Sequence, residues 1–139
     1  MDKDNFEILE HTADIRVRVK GEDLKELFSN SAHAMFSIVA ARIGNDSVPE
    51  EFLIELDGNN YEELLINWLN ELLSLSAVKE KIFQDFSFSL LDGQHLKAKA
   101  SGFDNTDYEI KTEIKAATYH QLKIERKAEF WQAEVIFDT

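Results

Sequence analysis

The sequence predicts an α+β protein in which two amphipathic helices pack on a largely antiparallel sheet, and three observations carry that expectation. The run Ile15-Arg16-Val17-Arg18-Val19-Lys20 alternates β-branched apolar with cationic residues, the period of a strand with one buried and one wet face. Two apolar stripes at helical spacing each follow a capping pair, Asp23 with Glu26 and Asn60 with Glu63. Between two alternating segments stands Asp92-Gly93, the pattern of a hairpin.

Taken in order, the strand at 15–20 turns at Gly21-Glu22 into a helix over 23–39, with Leu24, Leu27, Phe28, Met35 and Ile38 on its apolar side. A loop containing Gly44 and Pro49 leads to a second strand, where Phe52, Ile54 and Leu56 alternate with polar residues up to Asp57-Gly58. The second helix is the most apolar segment: Leu64, Leu65, Trp68, Leu69, Leu72 and Leu73 form a stripe broad enough to cover a sheet face. Phe86, Phe88 and Leu90 run into the hairpin turn, and Leu96, Ala98 and Ala100 run out of it. Gly102, Asp104, Asn105 and Asp107 mark 101–109 as an exposed loop. From Ile110 to His120 helix-tolerant and strand-favouring residues mix, and the type of this stretch stays open. Leu122, Ile124 and Arg126 form one strand and Trp131, Ala133, Val135 and Phe137 the last.

A chain of 139 residues, 44% apolar and 11% aromatic, has material for one hydrophobic core, so residues 1–139 are expected to form a single domain. There are no cysteines, which removes disulfides and thiolate chemistry and fits a cytoplasmic protein. No stretch approaches the roughly 20 apolar residues of a membrane span, and no secretory signal opens the chain. With Asp and Glu outnumbering Lys and Arg by 27 to 15, the net charge is -12, a field that disfavours direct, stable nucleic-acid binding and suits a basic protein partner.

No Walker loop, GxGxxG, GxSxG or HExxH is present, and five glycines leave little material for a phosphate cradle. Polar residues instead crowd at strand ends: His11, Thr12 and Asp14 before the first strand, Asp138 and Thr139 after the last. If the last strand is held in the sheet, the Asp138 side chain and Thr139 α-carboxylate converge, and Asp14 adds a third oxygen donor of the kind that calcium or magnesium takes. Residue chemistry alone favours the plainer reading, with Asp14 capping a turn and Asp138-Thr139 a solvated end. His11 and His120 are more often structural than ligating, and without cysteine or a paired spacing zinc is not expected.

Several stretches then resemble one family. Phe6-Glu7-Ile8-Leu9-Glu10-His11-Thr12-Ala13-Asp14-Ile15 is similar to the archease signature, as are Leu24, Glu26, Leu27 and Phe28 in the helix that follows. Asn67-Trp68-Leu69-Asn70-Glu71-Leu72-Leu73, Ile114-Lys115-Ala116-Ala117-Thr118-Tyr119-His120 and Trp131-Gln132-Ala133-Glu134-Val135-Ile136-Phe137-Asp138 extend the resemblance over nearly the whole chain. The resemblance implies an archease-like fold and a protein cofactor, not itself an enzyme, of a GTP-dependent RNA ligase in tRNA splicing or RNA repair. It implies that the protein promotes guanylylation and multiple turnover of the ligase. The family's metal-binding positions fall on Asp14, Asp138 and, through a backbone oxygen, Thr139, with calcium the first expectation and magnesium or manganese as alternatives. This reverses the plainer reading of those residues. Two positions depart from the family pattern: Arg16 stands where glycine is common and Tyr108 where a histidine is expected. Two other functions stay open beside this one: a small metal-dependent hydrolase using Asp14, Asp138, His11 and His120, and a general chaperone or assembly module without chemistry.

Overall fold

A computed structural model describes residues 5–9 and 14–139 of the chain. The strands are β1 (Phe6–Ile8), β2 (Asp14–Gly21), β3 (Ala40–Arg42), β4 (Glu50–Asp57), β5 (Lys81–Leu91), β6 (His95–Asp104), β7 (Tyr108–Ile110), β8 (Ala116–Thr118), β9 (Ile124–Arg126) and β10 (Trp131–Asp138), with helices α1 (Leu24–Val39) and α2 (Tyr61–Lys79). All pairings are antiparallel. β10 is central to the first sheet, with β2 and then β1 on one side and β8 and β9 pairing with its opposite ends on the other. β4-β6-β5 form a second sheet, and β3 pairs with β7. No helix among the described residues is long and apolar enough to cross a membrane.

The alternation read in β2 is realised as expected: Val17 and Val19 are buried in the core while Arg16 and Arg18 lie on the opposite face. Both predicted caps form. The Glu26 N–H donates to Asp23 Oδ1 at 2.8 Å and the Glu63 N–H to Asn60 Oδ1 at 2.8 Å, satisfying amides that the first helical turn leaves without partners. α1 packs against β2 and β10 of one sheet and β5 of the other, and α2 reaches β8, β5 and β4. The helices therefore lie between two sheets, not on one. The reason is visible in α1, where Ala32 and Ala34 are both fully buried although two residues apart places them on nearly opposite sides of a helix. Gly21 permits this closeness, since a Cβ there would stand 2.4 Å from the Leu27 backbone nitrogen.

Trp68 of α2 sits at the middle of the core, fully buried, with its ring 5.6 Å from Phe86 and 4.9 Å from Phe88 between centroids. Its indole N–H donates to the Phe28 carbonyl of α1 at 3.1 Å, which joins the two helices at their most apolar point.

The stretch 101–109 is not the exposed loop its composition predicts. β6 continues to Asp104, a short 3-10 turn covers Asn105–Asp107, and β7 follows at once, with Gly102, Asp107 and Tyr108 buried. Asp107 is buried because donors from a distant loop surround it: its carboxylate accepts from Ser47 N–H at 3.0 Å, the Ser47 hydroxyl and Asp46 N–H, and its carbonyl from Ile43 and Gly44 N–H. A carboxylate supplied with donors can leave water; turn composition alone says nothing of such partners. The Ser47 hydroxyl and amide hold the Asp107 carboxyl below its ordinary range. A carboxyl whose pKa is lower folded than unfolded stabilises above the unfolded value and loses that contribution as pH falls through the folded one. Asp107→Asn is thus expected to destabilise at neutral pH and to flatten the acid limb of a melting profile taken from pH 6 to pH 2. An acid limb as steep as that of the unaltered chain would argue against this role.

The open stretch after Ile110 is neither helix nor a long strand: 111–115 is irregular and β8 occupies only Ala116–Thr118. β8 is fastened to α2 by Asn70, whose side-chain amide donates to the Ala117 carbonyl at 3.1 Å and accepts from the Ala117 N–H at 2.8 Å. One amide side chain here does the work of a neighbouring strand.

Candidate functional site: a carboxylate pair at the end of the central strand

The β2–β10 register sets Asp138 directly opposite Asp14, and the β8–β10 register sets Ala116 on the other side of Asp138. Val17, Val135 and Phe137 lie in the core, so alternation puts Asp14 and Asp138 on the outer face with Arg16, Arg18 and Glu134. Both carboxylates are exposed. Directly opposed residues on one face have Cβ atoms about 4.5–5.5 Å apart, and like charges there repel unless a cation lies between them. Asp138 is well held, since its backbone pairs with β2 and its carbonyl accepts from Lys115 N–H at 2.8 Å. The sequence reading required the last strand to be fixed in the sheet, and β10 is flanked on both sides.

Among the described residues, no ion pair reaches either carboxylate. Arg18, two rows away, donates to Glu134 at 3.1 Å and lies 3.8 Å from Glu7. Arg16, in the adjacent row, donates to Gln121 Oε1 at 3.0 Å. Thr139 is exposed and follows Asp138 directly. His120 is exposed in the turn between β8 and β9, its N–H donating to Thr118 Oγ1 at 3.3 Å, while His11 and Thr12 lie outside the described residues. No group of three or more His, Asp or Glu side chains is placed to hold a metal among the described residues. What the sheet brings together is therefore two carboxylates, Asp14 and Asp138, with Thr139 next in the chain after Asp138. An all-oxygen set of this kind fits calcium or magnesium and gives a softer metal no nitrogen or sulfur.

Residue reading did not single out Asn70, Arg16 or Gln121 as parts of this region. Asn70 carried a weak signal, an amide that with Asn67 interrupts an apolar helix segment, whereas the partner of Arg16 lies across two strand pairings and has no local signature. A separate cleft of about 430 Å³ on another part of the surface is lined by Asn30, His33, Arg42, Gln84, Asp85 and Phe103, among others. Burial keeps the His33 imidazole below its ordinary range, with the Asp85 charge partly opposing. The Arg42 guanidinium stacks 4.2 Å from the Phe103 ring centroid and 5.8 Å from that of Tyr108, and bonds the Gly44 carbonyl and Asn45. Tyr108, where the resemblance implies a histidine, is thus a buried ring under Arg42, remote in sequence and in sheet from the carboxylate pair.

The archease protein family model (MTH1598/TM1083) matches residues 6–139. The archease of Methanosarcina acetivorans is 39% identical, the alignment covering 96% of this chain and 94% of the relative, and that of Pyrococcus abyssi is 37% identical over 96% and 97%. Among solved structures, protein 1598 of Methanobacterium thermoautotrophicum is similar with a TM-score of 0.78 at 31% identity, covering 97% of this chain and 99% of that one. A Thermotoga maritima protein described as an archease and possible chaperone gives a TM-score of 0.67 at 27% identity over 94% of each chain. The family model, the sequence identity and the structural similarity each extend over nearly the full length, and the chain belongs to the archease family.

Proposed function

We propose that this protein activates a GTP-dependent RNA ligase in the cytoplasm, in tRNA splicing or RNA repair, promoting guanylylation and multiple turnover of the ligase while catalysing no reaction itself. The site of action is a divalent cation, calcium first, with magnesium or manganese as alternatives, held by Asp14, Asp138 and a backbone oxygen of Thr139. The observation that supports this reading is the register placing Asp14 opposite Asp138 on an exposed face, with no protein cation bonded to either among the described residues. The cation, when bound, supplies positive charge against phosphate oxygens, the chemistry that nucleotidyl transfer needs. The protein's own residues hold and aim it. β8 and β2 fix the Asp138 backbone from both sides, and the net charge of -12 steers the domain toward a basic surface on the ligase.

The test is reconstitution with the ligase of the same organism and labelled GTP, measuring covalent ligase–GMP. The unaltered chain is expected to accelerate it. Because loss of even an outer-shell partner commonly costs tenfold or more in metal sites, Asp14→Ala and Asp138→Ala should each reduce the stimulation at least about tenfold. Full stimulation by both variants would remove the carboxylate pair from the mechanism and favour the assembly role for which the Thermotoga maritima relative is described as a possible chaperone. Hydrolysis of RNA phosphates by the purified protein alone would favour the metal-dependent hydrolase instead.

A further inference from the structure

Arg16 occupies an unusual place. On β2 it is two residues from Asp14 on the same outer face, so its row runs beside the carboxylate row at about 7 Å. That row reads Arg16, Ile136, Thr118 across β2, β10 and β8. The Arg16 guanidinium bonds Gln121 Oε1 at 3.0 Å, beyond Thr118 in the β8–β9 turn, so its side chain must cross β10 above Ile136. Ile136 bears out this path. It points away from the main core, between core residues Val135 and Phe137, yet is only 6% exposed. An arginine whose aliphatic stem lies across it matches that burial. Gln121 is the other anchor: its φ of 58° puts a non-glycine residue in the left-handed region, a conformation that surrounding contacts must hold.

We infer that Arg16, parked on Gln121 beside the carboxylate pair, sets the affinity of that pair for a divalent cation: in place it weakens cation binding by repulsion, and released from Gln121 it competes for the carboxylates directly. This deepens the proposed function and rests on its cation site. Arg16 is a positioning residue here, since it touches neither carboxylate in the structure. Among the described residues, Lys115 is a second cation at this end of the sheet; it is tied to Asp138 through its backbone N–H, and its ammonium makes no ion pair with either carboxylate within 4 Å. A unit charge roughly 7–10 Å from a divalent ion through solvent changes affinity by a factor of roughly 3 to 8 at low salt, less as salt rises.

The two halves of the inference predict opposite signs, which makes it testable by calorimetric titration of calcium into the metal-free protein, without any ligase. Arg16→Met keeps Ile136 covered and removes the charge; calcium should bind roughly 3- to 8-fold tighter at low salt, with the gain shrinking at high salt. Gln121→Ala frees the guanidinium to swing onto Asp14 and Asp138; binding should weaken, about threefold or more. Arg16→Lys retains the charge, and Lys99→Gln removes an equal charge on the other sheet; both should stay within about twofold. Unchanged affinity in Arg16→Met with unaltered circular dichroism overturns the inference while leaving the cation site standing. Absence of calcium binding in the unaltered chain and in every variant overturns both.

Discussion

Trp68→Ala is expected to lower the unfolding free energy by about 3–5 kcal/mol, the range for removing a fully buried large aromatic side chain. Against a typical total of about 5–15 kcal/mol, that removes roughly a fifth to nearly all of what holds the fold. The ring is fully buried and touches Phe86 and Phe88 of β5, and its N–H bonds Phe28 of α1, so the vacancy would open where both helices meet the second sheet. Trp68→Phe should recover most of the loss, because it refills much of the volume and the donor that needed a partner is gone with the indole. Urea unfolding followed by circular dichroism checks this, with the slope against denaturant expected to stay constant. A loss under about 1 kcal/mol in Trp68→Ala would mean that the core around it collapses freely, contrary to the close packing described.

Asn70→Ala should be nearly as damaging although it removes far fewer atoms. The Ala117 residue is 4% exposed, and without Asn70 its N–H and C=O lose the partners that replace water, at about 1–3 kcal/mol for each group left unsatisfied. The effect should extend to the carboxylate pair, since β8 lines the side of β10 that carries Asp138. Faster hydrogen exchange at Lys115, whose N–H is bound to the Asp138 carbonyl, and weaker calcium binding are the expected readouts. Asn70→Asp makes the argument sharper. An ionised carboxylate can still accept from Ala117 N–H but sets an oxygen against the Ala117 carbonyl, so at neutral pH it should rescue nothing. On acidification the carboxyl regains a donor, and stability should recover relative to Asn70→Ala. If Asn70→Asp matches the unaltered chain at neutral pH, the donated bond is not what holds β8.

Of the fold, the elements whose signals are local were legible in the sequence. β2 followed from alternation at 15–20, both helices from their stripes and caps at Asp23 and Asn60, and the β5–β6 hairpin from Asp92-Gly93 between alternating segments. In the hairpin the detail differs: Gly93 has no positive φ, and the turn is closed by the Asp92 carboxylate accepting from Gln94 and His95 N–H. The failures share one cause. Asp107 was read as a loop residue and Asn70 was given no bonding role, because each owes its environment to a partner on a different element.

For the candidate site the division is similar. Sequence chemistry identified Asp14 and Asp138 as oxygen donors at strand ends but favoured a turn cap and a solvated end, and resemblance alone reversed that choice. Composition, alternation, helical spacing and caps are properties of neighbouring residues, so the sequence by itself determined the α+β class, the two helices and the principal strands. That β10 lies between β2 and β8, that Asp14 faces Asp138, and that Arg16 reaches Gln121 across Ile136 were decided only by tertiary structure. The physical reason is register: a slip of one residue would turn Asp14 and Asp138 to the opposite face, and what fixes the register is burial of Val17, Val135 and Phe137 against α1, a long-range constraint with no local spelling in the chain.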